Sequence, residues 1–258
     1  MAVEARTTLD AHKLRADFPI LQQEINGKPL AYLDSAVTAQ KPRQMLEAMT
    51  QFYETSYGNV HRGVYALAER STEAFEGARD RIAKFVNAPS SRELIFTRNA
   101  TESLNLVAYA YGLARLGPGD VVVVTELEHH SNFVPWQYVA KRTGASFRMV
   151  RLNDNGELDL DGLDEIASDG ELKVVAANLV SNALGTVNPV EKLAAWAHEH
   201  GAITVVDAAQ AAPHRPIDVQ ALGCDFLAFS AHKLCGPSGV GALWGRRELL
   251  ESMEPFNL

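Results

Sequence analysis

From about residue 93 onward the chain alternates between short, β-branched apolar runs and longer stretches whose apolar residues recur every three or four positions. The apolar runs have strand length and fall at 93–97, 121–125, 146–150, 173–178, 203–207, 225–229 and 240–244. The helical stretches between them fall near 102–113, 135–142, 160–167 and 190–200. Strands that read as nearly continuous apolar runs need cover on both faces, and intervening helices supply the long crossovers of parallel pairing. The pattern therefore predicts an α/β fold, a mostly parallel central sheet covered by helices on both faces. Gly117-Pro118-Gly119-Asp120 is the turn that launches the strand at 121. Before residue 93 the chain reads as helical and loop-rich. Pro42 suits the first turn of a helix reaching about residue 53, and a second helix is expected over 66–86. No internal repeat interrupts this pattern. The expected organisation is an N-terminal arm over residues 1–30 and one large domain over 31–258.

Composition narrows the class. With 258 residues, 47% of them hydrophobic, the chain can bury one substantial core. A net charge of −8, from 24 basic and 32 acidic residues, argues against a nucleic-acid or anionic-membrane surface. The two cysteines, Cys224 and Cys235, lack the spacing of a zinc ribbon or redox pair. That points away from a disulfide scaffold and toward a reducing cytoplasm. Residues 1–8 lack the apolar core of a signal peptide, and no apolar run is long enough for a membrane span.

Polar residues gather where the predicted strands end, which is where open parallel sheets bind ligands. Ser230-Ala231-His232-Lys233 follows the run at 225–229. A lone lysine after a strand is usually solvated, but one packed among small neighbours can lose solvation and serve as an amine nucleophile. After the first run comes Asn99-Ala100-Thr101-Glu102, an N-cap pattern whose hydroxyl and amide groups can also cradle an anion. After the second comes Glu128-His129-His130-Ser131-Asn132. Adjacent histidines point in different directions, so a two-histidine metal site is not expected. One imidazole could instead lie on an aromatic ligand or move a proton. Ser181-Asn182 offers an amide beside a turn, and Asp207-Ala208-Ala209-Gln210 closes the run at 203–207. An aspartate at the end of a buried strand is costly to ionise without a cationic partner, and a protonated pyridine nitrogen would be one. Carboxylate, amine, imidazole, phosphate cradle and amides are together the parts of a pyridoxal phosphate site.

In these residues the chain resembles the class V aminotransferase family, and most closely its SufS-type cysteine desulfurases. The resemblance rests on Tyr32-Leu33-Asp34-Ser35-Ala36, Asn59-Val60-His61-Arg62-Gly63, Asn99-Ala100-Thr101-Glu102, Glu128-His129-His130-Ser131-Asn132, Ser181-Asn182, Asp207-Ala208-Ala209-Gln210 and Phe229-Ser230-Ala231-His232-Lys233. These motifs appear in family order along nearly the whole chain.

The resemblance implies the large domain of a fold type I pyridoxal-phosphate enzyme. Lys233 would be the Schiff-base lysine and Asp207 the partner of the pyridine nitrogen. His129 would stack on the ring and move protons. Asn182 and Gln210 would border the ring oxygen, and Thr101, Ser230 and His232 would hold the phosphate. His61 and Arg62 would lie near a substrate entrance completed by the second subunit of a homodimer. The implied reaction converts L-cysteine to L-alanine and passes sulfur, through an enzyme persulfide, to an acceptor protein of iron–sulfur assembly. Selenocysteine lyases, kynureninases and epimerases of the same family would share Lys233, Asp207 and the phosphate residues. A non-catalytic cofactor-binding fragment is a further alternative.

Three departures matter. Ala100 stands where a hydroxyl residue often precedes the threonine, and Ala231 where glycine usually precedes the histidine. The chain ends at Leu258, before the family's small C-terminal domain with its nucleophilic cysteine and carboxylate-binding arginine. Neither Cys224 nor Cys235 takes the nucleophile's place, so this chain alone is expected to be inactive in sulfur transfer.

Overall fold

The computed structural model describes residues 9–256; the charged segment 1–8 and residues 257–258 lie outside the described residues. The N-terminal part holds α1 (Ala11–Ala16), capped by the Asp10 carboxylate, and a hairpin of β1 (Glu24–Ile25) and β2 (Lys28–Pro29). Asn26 and Gly27 form its turn, both with positive φ (54° and 71°), the conformation that two-residue hairpin loops demand. The sequence reading missed this hairpin because each strand has only two residues. α2 (Arg43–Thr55) and α3 (Ala66–Phe85) follow, close to the ranges expected. Pro42 takes the N-cap position rather than the first turn.

The remaining elements are β3 (Leu94–Thr97), α4 (Ala100–Val107), α5 (Leu113–Arg115), β4 (Asp120–Thr125), α6 (His130–Thr143), β5 (Ser146–Val150), α7 (Leu163–Ala167), β6 (Glu171–Asn178), α8 (Val190–Glu199), β7 (Ile203–Asp207), α9 (Val219–Leu222), β8 (Phe226–Ser230), β9 (Gly241–Gly245) and α10 (Arg247–Glu251). β3 to β9 form one seven-stranded sheet in the order β3-β9-β8-β7-β6-β4-β5. β9 runs antiparallel to both its neighbours, and the other pairings are parallel. The sheet is mostly parallel, as the apolar pattern predicts.

Side chains alternate across the sheet, so each buried strand feeds two cores. Val121 and Val123 join Val175, Val206, Leu227 and Trp244 beneath Leu193 and Trp196 of α8. Val122 and Val124 join Val174, Val205, Phe226 and Leu243 beneath Leu104 and Val107 of α4 and Trp136 of α6. Trp136 is fully buried. Between α4 and α5 the helix continues through one wider π turn, Ala108–Gly112. Any side chain at Gly112 would crowd Trp136, with a Cβ placed 3.0 Å from its ring.

Three element starts differ from expectation. α6 begins at His130, five residues before the expected start at Pro135, because the His129 imidazole caps it by accepting from Ser131 N–H (3.2 Å). β8 and β9 each begin one residue later than expected; Asp225, just before β8, still accepts from Arg246 N–H at 2.9 Å through its backbone while its side chain pairs with His198 and Arg246.

The sheet also sets the height of α4. A Cβ on Gly241 would lie 2.5 Å from the Cα of Asn99 and 2.6 Å from its carbonyl carbon, both backbone atoms. Gly241→Ala must therefore push the α4 N-cap away from the sheet. It is expected to destabilise the protein by about 1–3 kcal/mol, measured as a lower urea midpoint at unchanged slope.

Candidate functional site

A cavity of about 320 Å³ opens beyond the carboxyl ends of β4, β6, β7 and β8, facing the N-terminus of α4. Asn99, Thr101, His129, Asn178, Asn182, Asp207, Gln210, Ser230, His232 and Lys233 line it. The strand-end residues to which the resemblance assigns the cofactor, Thr101, His129, Asn182, Asp207, Gln210, Ser230, His232 and Lys233, therefore all line the same space. His61 and Arg62 do not line it. His61 lies beside a separate groove with its Nε2 2.8 Å from Glu76 Oε1, and it holds a positive φ of 66°.

Asp207 ends β7, whose five residues are all buried. Its Oδ1 accepts from Ala209 N–H at 2.8 Å, and no cation among the described residues lies within ion-pair distance. Burial raises its pKa; the Ala209 amide, Lys233 and His129 work against that rise. Lys233 sits in the single 3₁₀ turn that follows β8. Burial holds its ammonium below the ordinary lysine range, and Asp207 opposes this shift. A lysine so placed carries a larger uncharged fraction near neutrality than a solvated one.

The anion-binding side is built at the N-terminus of α4. Asn99 caps the helix by accepting from Glu102 N–H at 2.8 Å. Ser230 Oγ accepts from Ala100 N–H at 2.8 Å, which leaves the serine's own hydrogen free to donate. Thr101 offers an N–H and a hydroxyl with no partner among the described residues. His232 is turned by Thr38, whose Oγ1 lies 3.2 Å from its Nδ1. Burial, Lys233 and Lys41 lower the His232 pKa, so the ring is neutral at physiological pH.

His129 presents its ring to the cavity with Nδ1 accepting from Ser131 N–H. Nε2 therefore carries the proton of the neutral ring. Asn182 sits at the rim on a turn held by Ser181 Oγ, which accepts from Ala183 and Leu184 N–H. Gln210 has a job the sequence did not suggest. Its Nε2 donates to Ala36 O at 2.7 Å and so pins the segment carrying Ala36 and Val37 against the cavity. The same segment is held by Ala39 N–H to His232 O (2.9 Å) and Lys41 Nζ to His232 O (3.2 Å).

Sequence reasoning also passed over Asn178 and Glu128. Asn178 carries the same signal as Asp207, a polar residue closing a buried strand. Glu128 opens the Glu128-His129-His130-Ser131-Asn132 motif, whose local pattern gives it no role. Its carboxylate accepts from Thr125 Oγ1, Asn132 Nδ2 and Asn178 N–H, each at 2.6 Å. Burial pushes its pKa up to about 8; those three donors pull down and nearby Asp207 pushes further up.

The model of the family described as aminotransferase class-V matches residues 31–258. The chain belongs to the class V aminotransferase family. Relatives in that family include a probable cysteine desulfurase of Streptomyces coelicolor, 55% identical over 96% of this chain and 60% of the relative. A cysteine desulfurase of Haloferax volcanii is 47% identical over 99% of this chain and 63% of its own length. Among solved structures, the cysteine desulfurase CsdA of Escherichia coli superposes with a TM-score of 0.86 at 44% identity, covering 96% of this chain and 60% of that one. The apo cysteine desulfurase of Thermococcus onnurineus gives 0.88 at 39% identity over the same shares. The chain thus spans about 60% of the length of the relatives it matches.

Class V aminotransferases depend on pyridoxal phosphate, and the cavity fits that group. It has an open carboxylate for a ring N–H, a desolvated amine, and unused donors at the α4 N-terminus for a phosphate.

The raised Glu128 carboxyl has a consequence for stability. The native chain holds that proton up to about pH 8, while a free glutamate releases it near 4.5. Between these values the folded state binds more protons than the unfolded one, so this group's contribution falls as pH rises. Asp207 acts in the same direction. The urea midpoint is therefore expected to drop more between about pH 5 and about pH 8 in the wild-type chain than in Glu128→Gln. Equal drops would contradict the assignment.

Proposed function

We propose that the chain carries the cofactor-holding part of a pyridoxal-phosphate-dependent cysteine desulfurase, with residues 31–258 as the cofactor-binding large domain and residues 1–30 as an arm. The observation that carries this reading is the convergence of Lys233, Asp207 and His129 on one cavity beside the α4 N-terminus. The similarity to named cysteine desulfurases supports the choice of reaction within the family.

When bound, pyridoxal phosphate supplies an electrophilic carbonyl and a ring that withdraws electrons from an amino acid's α-carbon. Thr101, Ser230 and His232 would hold its phosphate. Asp207 would keep the proton on the ring nitrogen; the cation that meets its open oxygen also offsets the burial that now raises its pKa. Lys233 Nζ, partly uncharged through desolvation, would attach the cofactor and afterwards accept a proton from the substrate. His129 would lie on the ring and share that proton traffic through Nε2. Asn182 and Gln210 would border the ring oxygen, Gln210 while its amide nitrogen keeps the Ala36 segment in place.

In the same reading the substrate is L-cysteine and the product L-alanine. The sulfur passes to a cysteine thiolate as an enzyme persulfide, and from there to an acceptor protein of cytoplasmic iron–sulfur cluster assembly. A homodimer would bring a second subunit to His61 and Arg62. No helix among the described residues is long and apolar enough to cross a membrane.

The reading is tested by incubating the chain with pyridoxal phosphate, reducing with borohydride and measuring intact mass. Covalent retention is expected in the wild type and its loss in Lys233→Ala. Asp207→Asn, which cannot balance a ring cation, is expected to weaken cofactor binding by about tenfold or more. Retention that survives Lys233→Ala, or no retention at all, would overturn the reading. Among L-cysteine, L-selenocysteine and L-kynurenine, L-cysteine should change the cofactor's visible absorption most.

A further inference from the structure

Beneath the cavity floor three chain segments meet at one carboxyl group. Thr125 ends β4, Asn178 ends β6, and Asn132 lies in the first turn of α6. All three donate to Glu128, the first through Oγ1, the second through its backbone N–H and the third through Nδ2. The arrangement is directional. Trp136 Nε1 donates to Asn132 Oδ1 at 3.3 Å, which fixes the Asn132 amide with its nitrogen toward Glu128. Asn178 is held from its other side as well, since its Nδ2 donates to Leu127 O and its Oδ1 accepts from Asn188 Nδ2 at 2.6 Å.

We propose that Glu128 is a positioning residue for the cofactor: by tying β4, β6 and the start of α6 into one corner, it fixes the adjacent His129 ring and Asn178 relative to Asp207. His129 follows Glu128 directly and caps α6, so its ring direction is set by where the first turn of that helix is anchored. Asn132 N–H also donates to His129 O at 2.9 Å, closing the loop between anchor and ring. The charged group that acts on Glu128 from another element is Asp207 of β7. No chemistry passes through Glu128 itself. The inference rests on the cofactor reading above and adds to it the part that aims the ring.

Glu128→Gln provides the test, because it keeps the shape of the neutral acid but puts an –NH₂, which cannot accept, where an oxygen receives the Asn132 –NH₂, and Trp136 prevents that amide from flipping. The readout is the visible circular dichroism of bound pyridoxal phosphate divided by its absorbance. That ratio reports ring geometry per bound molecule, and a merely structural loss of folded protein would leave it unchanged. Glu128→Gln is expected to change the ratio and to weaken cofactor binding about tenfold. Adding Asn132→Asp supplies an acceptor for the new amide and for Trp136, and should return binding to within about threefold of wild type. Thr125→Val, nearly isosteric and lacking one donor, should shift the ratio the same way by a smaller amount. An unchanged ratio in both Glu128→Gln and Thr125→Val, or no recovery in the double variant, would overturn the inference. A wild-type chain with no bound-cofactor band would instead overturn the cofactor reading on which it stands.

Discussion

A carboxylate at the end of a fully buried strand has to be neutral, paired or waiting for a partner, and the site is organised around Asp207 in that position. Burial disfavours its charge, and the protein supplies one amide N–H and the more distant fields of Lys233 and His129. Those contributions do not form an ion pair. The same desolvation that raises Asp207 lowers Lys233, so the two groups sit nearer to each other in proton affinity than either would in water.

The rest of the fold keeps these groups in register. Parallel strands end at similar heights, so β6, β7 and β8 deliver Asn178, Asp207 and Ser230 to one cavity, and the turn after β4 adds His129. Hydrogen bonds between strand ends then remove the remaining freedom: Ser230 to the α4 N-terminus, Glu128 to β6 and α6, Asn188 to Asn178. The segment around Ala36 is fastened across the opening by Gln210 and His232 rather than by apolar packing. Backbone–side-chain bonds of this kind fix position more sharply than hydrophobic contact, which is non-directional.

Sheet and core were legible in the sequence because their cause is local and repetitive. Val121 to Val124 announce a strand buried on both faces, and the structure sends alternate members into separate cores. Lys233, Asp207, His129 and Thr101 were legible because each follows such a run. The start of α6 was not, since propensity marks Pro135 while the decisive cap is a histidine side chain folding back on Ser131. Gln210 and Glu128 were opaque for a related reason. Ala36 lies 174 residues from Gln210, and Asn178, one of the three Glu128 partners, lies 50 residues from it; no local pattern encodes which distant N–H or C=O a side chain will meet. Motif resemblance placed Gln210 in the right cavity, yet geometry alone revealed that its nitrogen is committed to Ala36.

Asp225 supplies the contrast that separates a structural acid from a functional one. It too is buried beside the central strands, at the opposite edge of the sheet from the cavity. There the protein answers the charge completely: Arg246 Nε at 3.1 Å, His198 Nε2 at 2.9 Å, and the N–H and hydroxyl of Thr204 at 2.7 and 3.0 Å. Asp207 faces the same desolvation and receives one hydrogen bond. A chain that can surround one buried carboxylate with four partners and leaves another open toward a cavity has not failed at the second. Unsatisfied buried charge persists where a ligand completes it, and the missing partner has to be a cation small or flat enough to enter beside Lys233.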